Sequence, residues 1–317
     1  MTQTSSYKYK AKPFVKWAGG KAQLLNDIEC HLSQNLLLHA DNITYVEPFV
    51  GGGATVLYLL SKYPNIRKAV INDINPRLIT TYRVIKYRPL DLIKELSILQ
   101  ETYIPMNHEN RTNMFLEQRK RFNEKDLTDI QTAALFIFLN RTCFNGLYRE
   151  NSKGQFNVPH GRYANPLICD QTTLLADSEI LQRVEILCGD YSETMKYAGA
   201  NTLFYFDPPY KPLSETSSFN SYVKEVFDDR EQIRLHNFCD AVSKLGSLFL
   251  LSNSDVKEKN PNDTFFDDLY ANYFINRVYA NRMLNANPQK RGKISELLIT
   301  NFANTARTSE NQIPQIP

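Results

Sequence analysis

Ile43-Thr44-Tyr45-Val46-Glu47-Pro48-Phe49-Val50-Gly51-Gly52-Gly53-Ala54-Thr55-Val56-Leu57-Tyr58 reads as one strand–turn–helix unit, and the fold follows from it. Residues Ile43–Glu47 are β-branched, aromatic and apolar, as a strand requires. Pro48 stops the strand, and three glycines let the backbone turn sharply and approach a ligand without Cβ interference. A helical pattern then runs over Ala54–Ser61. The next strand, Ala69–Asp73, ends on an acid twenty residues past Gly53. A carboxylate at the tip of a second strand is placed to accept both hydroxyls of a ribose. Asn75-Pro76 supplies a capping side chain and a proline at the first position of the following helix. There is no G-x-G-x-x-G fingerprint and no Walker lysine–serine pair, so the pattern suits a nucleoside without a pyrophosphate. A plain strand–helix turn with a surface aspartate is the competing reading of these residues alone.

Working outward, short apolar runs at Val184–Cys188, Thr202–Asp207, Leu245–Ser252, Tyr273–Tyr279 and Ile294–Asn301 read as further strands. Helical patterns at Pro76–Ile85 and Asp229–Ser243 lie among them. Strand–helix alternation implies an α/β fold with a doubly wound, mostly parallel, Rossmann-like sheet. The last two runs have no helix between them and should pair as an antiparallel hairpin at one edge. Between about Leu90 and Asp170 the alternation stops. Helical runs at Leu90–Tyr103, Arg111–Phe122 and Thr128–Asn140 give way to a polar stretch rich in Asn, Gly and Arg, which reads as an insertion. The expected organisation is a flexible N-terminus (1–10), a main domain in two pieces (11–88 and 171–303), an inserted domain (89–170) and a flexible tail (304–317).

The chain has 317 residues, 42% hydrophobic and 22% charged, with a net charge of +3. That length buries a sizeable core, and the balance is that of an ordinary globular protein rather than a disordered or strongly basic one. Cys30, Cys143, Cys169, Cys188 and Cys239 are scattered, without the paired spacing of a zinc site or a disulfide framework. No apolar run has the length of a membrane span and no signal-peptide core is legible. The expected location is therefore the cytoplasm, with neither metal nor membrane.

Two more segments carry chemistry. Leu203-Phe204-Tyr205-Phe206-Asp207-Pro208-Pro209-Tyr210 is a buried strand running into a proline turn. The prolines remove two N–H donors, so the Asp207 carboxylate and nearby carbonyls face outward as acceptors. An exocyclic amino group on a nucleobase offers two donors to such acceptors, and the Tyr210 ring offers a stacking face. The same residues also suit a plain turn after a buried strand. Near the start, Phe14-Val15-Lys16-Trp17-Ala18-Gly19-Gly20-Lys21 sets the only Trp between two lysines. Lys16 and Lys21 suit a carboxylate or phosphate, and Trp17 suits an adenine or a sulfonium cation. A lone Trp equally suits a core.

The order Lys16-Trp17-Ala18-Gly19-Gly20-Lys21, Pro48-Phe49-Val50-Gly51-Gly52-Gly53, an insertion, then Asp207-Pro208-Pro209-Tyr210 resembles the Dam-type (class α, D12 class) DNA adenine-N6 methyltransferases. The resemblance runs from about residue 13 to residue 302 and includes a late Arg291-Gly292-Lys293 followed by Glu296-Leu297-Leu298-Ile299-Thr300-Asn301. It implies an S-adenosylmethionine-dependent methyltransferase fold. It places cofactor contacts at Trp17, Lys21, Phe49, Gly51, Asp73, Asp190 and Asp207, and catalytic roles at Asp207, Pro208 and Tyr210. An adenine flipped out of double-stranded DNA would have its N6 protons accepted by Asp207 and the Pro208 carbonyl, leaving the nitrogen lone pair to attack the methyl directly, in line.

Within the insertion, Leu147–Asn151 and Gln155–Val158 flank Ser152-Lys153-Gly154 and read as a β-hairpin of the kind that fits a major groove. A solvated loop is the competing reading. Arg141, Arg149 and Arg162 interleave with aromatic residues and suit phosphate contacts and guanine readout. The segment resembles the recognition hairpin of members that methylate GATC. That resemblance assigns a guanine to Arg149, the thymine region to Leu147 and Pro159, a wedge to Phe144, an outer guanine to Lys16, and a DNA contact to Asn145. His160, where the family often has an aromatic residue, adds a candidate phosphate donor. The expected partner is double-stranded DNA, bound by a monomer or weak dimer associated with the nucleoid. A longer site, an RNA substrate, a restriction–modification setting and a non-catalytic S-adenosylmethionine sensor are the readings to weigh beside it.

Overall fold

The structure, a computed structural model, describes residues 11–32, 37, 42–210, 227–281 and 293–303. The expected flexible ends, and Arg291 and Gly292 of the late motif, lie outside the described residues. In chain order the elements are α1 (Leu25–His31), β1 (Ile43–Glu47), α2 (Ala54–Lys62), β2 (Ile66–Ile71), α3 (Pro76–Tyr87), α4 (Pro89–Tyr103), α5 (His108–Phe122) and α6 (Asp129–Thr142). They continue with α7 (Gln171–Leu181), β3 (Val184–Ile186), β4 (Thr202–Phe206), α8 (Asp229–Lys244), β5 (Leu248–Ser254), α9 (Phe265–Leu269), β6 (Phe274–Asn281) and β7 (Lys293–Thr300).

The strands form one seven-stranded sheet in the order β3-β2-β1-β4-β5-β7-β6. The first five are mutually parallel, whereas β7 runs antiparallel to both β5 and β6. The expected antiparallel pair therefore closes one edge. Strand order reverses between β1 and β4, which opens a crevice at their carboxyl ends, where open α/β sheets bind ligands. β4 is buried along its whole length, which explains why it reads as a continuous apolar run rather than an alternating one.

Period-2 alternation sorts side chains onto two faces. Tyr45, Ala69, Leu203, Tyr205, Leu250 and Leu298 join one core with α1 to α7. Val46, Val70, Phe204, Phe206, Leu251 and Leu297 join the other, with Leu235, Phe238 and Val242 of α8. Residues 89–170 do not build a separate core. α6 packs on α3, α4 and α5, and Leu135 through Leu139 are all buried in the first cluster. Each such side chain contributes roughly 1.5–3 kcal/mol by leaving water. The α6 start is fixed by a reciprocal capping box between Thr128 and Gln131. The α3 start uses Asn75, whose side chain accepts from the N–H groups of Arg77 and Leu78.

Several boundaries shift by one to three residues, and three departures from expectation have local reasons. β5 begins at Leu248 rather than Leu245, because Gly246 at φ +88° turns the chain out of α8. β2 stops at Ile71, which leaves Asp73 in the loop beyond it. The hairpin of the insertion is reduced to an isolated antiparallel bridge between Glu150 and Phe156. Asn151 N–H donates to Gln155 O at 2.9 Å and Asn157 N–H to Arg149 O at 3.1 Å. The ribbon does not lengthen because side chains take its backbone groups. Asn123 bonds both the N–H and the C=O of Phe156, and Asn151 accepts from the N–H groups of Lys153 and Gln155.

Candidate active site

The glycine turn after β1 is shaped by contacts that leave no room for a Cβ. Gly51 sits at φ +47° and Gly53 at φ +72°, conformations that glycine adopts freely. A Cβ on Gly51 would stand 2.7 Å from the Trp17 indole, and one on Gly53 would stand 2.4 Å from the Tyr82 hydroxyl. Tyr82 donates to the Gly51 carbonyl at 2.9 Å. Trp17 in turn stacks on Tyr148 at 5.6 Å and on Phe136 at 6.2 Å. It is half-buried, wedged between the turn and these two rings.

Asp73 ties the ends of β1 and β2 together. One carboxylate oxygen accepts the Gly51 N–H at 3.0 Å and the other the Asn75 N–H at 2.9 Å. Burial pushes its pKa up, and these backbone donors oppose the rise. Beyond it, Phe49 packs on Tyr191 at 5.1 Å and on Phe227 at 5.8 Å, giving an aromatic wall. The buried Tyr191 hydroxyl and Asn72 Oδ1 lack a hydrogen-bond partner among the described residues. Asp190 lies beside that wall, paired with Arg234 at 2.6 Å. Its hydrogen bond to Arg234 pulls its pKa down to about 2.

At the carboxyl end of β4, Asp207 is held from below. Lys21 Nζ lies 3.0 Å from Asp207 Oδ1, and Ser252 Oγ donates to the same oxygen at 3.0 Å. Asp207 Oδ2 has no partner among the described residues. Burial raises the Asp207 pKa, while the Lys21 charge and the two hydrogen bonds to Oδ1 lower it. Lys21 is buried, also donates to the Gly19 carbonyl at 2.9 Å, and sits 4.2 Å from the centroid of the Tyr210 ring. Tyr210 donates its hydroxyl to Glu296 Oε2 at 2.6 Å, and that oxygen lies 3.8 Å from Lys21 Nζ. Pro208 is buried, and Gln232 donates to the Pro209 carbonyl at 3.4 Å from beneath. Deeper still, Glu47 accepts from Tyr45 at 2.8 Å. Burial, reinforced by the Asp207 charge, holds Glu47 well above the usual carboxylate range.

Residues 140–146 reach this site through Asn140. Its side chain accepts the Lys16 N–H at 2.8 Å and donates to the carbonyls of Lys16 and Gly146, both at 2.9 Å. Lys16 Nζ lies 5.3 Å from the centroid of the Tyr163 ring. Phe144 is 51% exposed and Leu147 38%, large apolar surfaces left open to solvent. Phe144 N–H donates to the Pro159 carbonyl at 2.8 Å, and Asn145 N–H to the Tyr163 hydroxyl at 2.9 Å. Arg149 is exposed, with Nε bonded to Asn157 Oδ1 at 2.8 Å and both terminal nitrogens without a partner among the described residues.

Two expected DNA contacts turn inward instead. Arg141 donates to the Phe14 carbonyl at 2.7 Å, and burial lowers its pKa, so it anchors the N-terminal segment. His160 stacks on Phe115 at 5.0 Å. Its ring nitrogens are within hydrogen-bond reach of Tyr103 at 2.6 Å and Thr112 at 3.1 Å. Burial lowers its pKa. A neutral imidazole with both nitrogens engaged has nothing to offer a phosphate. Ser252, Glu296, Glu47, Tyr82 and Asn140 are the site residues that sequence reasoning left without a role. Of these, Glu296 stands in the late motif and Glu47 directly before Pro48-Phe49, and the others carry no sequence signal.

Comparison with known proteins yields concordant matches. The profile of the family described as "D12 class N6 adenine-specific DNA methyltransferase" matches residues 17–284. The Type II methyltransferase M.MjaIII of Methanocaldococcus jannaschii is 46% identical over 297 residues, 92% of this chain and 100% of the relative. The DNA adenine methylase of Vibrio cholerae is 37% identical, covering 91% of this chain and 95% of its own length. That of Escherichia coli K12 is 32% identical over the same shares.

Proposed function

Because the chain belongs to the D12 class of N6 adenine-specific DNA methyltransferases, we propose that it methylates N6 of an adenine flipped out of double-stranded DNA, within GATC, using S-adenosylmethionine. The observation that carries this reading is the state of Asp207. Lys21 and Ser252 fix one carboxylate oxygen, and the other has no partner among the described residues on a side chain that is 20% exposed. The next residue, Pro208, adds a carbonyl and no competing donor.

The residues fit the donor. Asp73 and Asp190 offer acceptors for hydroxyl and amino groups, Phe49 with Tyr191 gives an aromatic wall, and the unpartnered Tyr191 hydroxyl is a polar group in want of one. Trp17, Lys21 and the Gly51 turn complete the proposed set. S-adenosylmethionine, when bound, supplies an electrophilic methyl on a sulfonium. The protein's part is to make a weak nucleophile competent. An adenine amino group delocalises its lone pair into the ring. Two acceptors, Asp207 Oδ2 and the Pro208 carbonyl, would draw its protons out of the ring plane and localise that pair toward the methyl. Lys21 opposes the rise in the Asp207 pKa that burial causes, which favours the carboxylate. Side chains at the floor of a crevice do not reach a base inside a duplex, so the base must leave the stack, at roughly a few kcal/mol.

Residues 89–170 are proposed as the DNA-recognition insertion and residues 11–88 with 171–303 as the part that holds the donor. Lys16, Phe144, Asn145, Leu147 and Pro159 gather at one surface with Arg149 beside them, which supports a shared DNA role. The GATC assignment rests on the resemblance of the 140–163 segment to recognition hairpins for that site. It is tested by incubating plasmid with the protein and S-adenosylmethionine, then digesting with nucleases that cut GATC only when methylated or only when unmethylated. Complete conversion supports GATC. Methyl incorporation without conversion assigns another site, and incorporation into RNA alone overturns the duplex reading.

A further inference from the structure

Glu296 belongs to the catalytic floor, though neither the glycine turn nor the proline turn contains it. β7 carries it there. In register, Glu296 lies opposite Ser254 of β5 and Val278 of β6. Leu298, two residues along, is buried in the core that faces α1 to α7, so Glu296 projects from the same face of the sheet. That is the side on which Lys21 lies. The side chain is 15% exposed, a costly place for a carboxylate without partners.

Its partners are Tyr210 of the proposed adenine site and Lys21 of the proposed donor site. The Tyr210 hydroxyl donates to Glu296 Oε2 at 2.6 Å, and Lys21 Nζ stands 3.8 Å from the same oxygen. Lys21 thus lies between two carboxylates, 3.0 Å from Asp207 and 3.8 Å from Glu296, with the Tyr210 ring 4.2 Å away. A tyrosine at the end of a Pro-Pro turn has a ring that can rotate about its χ angles. The hydroxyl oxygen lies on the Cβ–Cγ axis, so tethering it to a β-strand fixes χ1 and with it where the ring lies.

We propose that Glu296 is a positioning residue for methyl transfer: it holds the Tyr210 ring in one place over the floor and shares Lys21 with Asp207. The consequence is specific. Glu296 acts through the Tyr210 hydroxyl, so removing either end of that hydrogen bond removes the same function. Three charges, Lys21 positive with Asp207 and Glu296 negative, leave the floor with one net negative charge, suited to a cationic methyl donor. This inference rests on the reading of Asp207 as the adenine clamp.

The test is a double-variant cycle on single-turnover methyl transfer to a duplex carrying GATC, with Tyr210→Phe, Glu296→Met, both together, and Asp207→Ala; methionine is chosen at 296 because the amide oxygen of glutamine would still accept from Tyr210. Each single change at 210 and 296 is expected to slow transfer by about 10–100-fold, the worth of one charge-assisted hydrogen bond. The double variant should be no slower than the slower single. Dissociation constants for DNA should stay within about two-fold, since the residue positions and does not bind the duplex. Slowing that multiplies in the double variant, or a wild-type rate for Tyr210→Phe, overturns the proposal. Should Glu296→Met fail to fold, Tyr210→Phe alone still decides, because it keeps the ring and loses only the tether. Turnover by Asp207→Ala would sink the clamp itself, whereas a dead Asp207→Ala beside a fully active Glu296→Met would sink only the role given to Glu296.

Discussion

Exchanging Lys21 for methionine should destabilise the fold far more than exchanging Asp207 for asparagine. The structure sets the asymmetry. Lys21 is 4% exposed and stands between Asp207, 20% exposed, and Glu296, 15% exposed. With the lysine present the cluster carries one net negative charge. Lys21→Met takes it to two, both half-buried around the same site, whereas Asp207→Asn takes it to zero with Lys21 still beside Glu296. Removing one partner of a buried pair costs about 3–5 kcal/mol. The partial exposure of both carboxylates trims this to about 2–4 kcal/mol, which lowers the melting temperature by several degrees. Asp207→Asn should fall within about 1 kcal/mol of the parent or above it, as a volume-matched change with no stranded charge. The defect must also fade in acid. Burial raises the Asp207 pKa and Lys21 opposes the rise, so without Lys21 it climbs further. Protonation then relieves the repulsion, and the stability gap between Lys21→Met and parent should narrow as pH falls through that raised value. Urea unfolding at several pH values reads both effects. Equal destabilisation by Lys21→Met and Asp207→Asn at neutral pH would refute the view that Lys21 serves two acids.

Other perturbations probe the remaining parts. Arg149→Ala should cost about 1–3 kcal/mol of discrimination at one guanine, read by binding to single-base-substituted duplexes; equal weakening on every sequence would move Arg149 to the DNA backbone. Gly51→Ala forces a φ of +47° on a residue with a Cβ, costing about 1–2 kcal/mol, and drives that Cβ into Trp17. It should weaken S-adenosylmethionine binding in calorimetry more than DNA binding, and the reverse would detach the turn from the donor site. Arg234→Ala should let Asp190, held at about 2, return toward 3.8. In the parent that pair stabilises the fold above pH 3.8 and the contribution is lost as pH falls through about 2; an NMR titration of Asp190 that does not move would contradict the pairing.

Much of this was legible in the chain because it depends on local chemistry. The seven strands declare themselves by β-branched and aromatic runs. The glycine turn, the Asn75-Pro76 cap and the end of β4 at Asp207 need only neighbouring residues to be read. What escaped depends on distant partners. Nothing around Ser252 or Asn140 says that one will bond Asp207 and the other will staple Lys16 to the insertion. Arg141 and His160 looked like groove contacts because they sit among Asn, Gly and Arg, and only packing against Phe14 and Phe115 turns them inward. The ribbon over 147–158 is shorter than its residues suggest because the bonds Asn123 makes to Phe156 come from the end of α5, thirty-three residues away. Glu296 lay in plain view within an apolar strand, but its meaning depends on β7 being inserted antiparallel beside β5.

The claim on which all of this turns is that Asp207 accepts the adenine amino protons. Single-turnover transfer to a GATC duplex, with N6-methyladenine measured by mass spectrometry and DNA affinity measured in parallel, tests it on Asp207→Ala. The expected result is no detectable N6-methyladenine with DNA affinity close to the parent's; methylated adenine formed at the parent's rate by Asp207→Ala would contradict it.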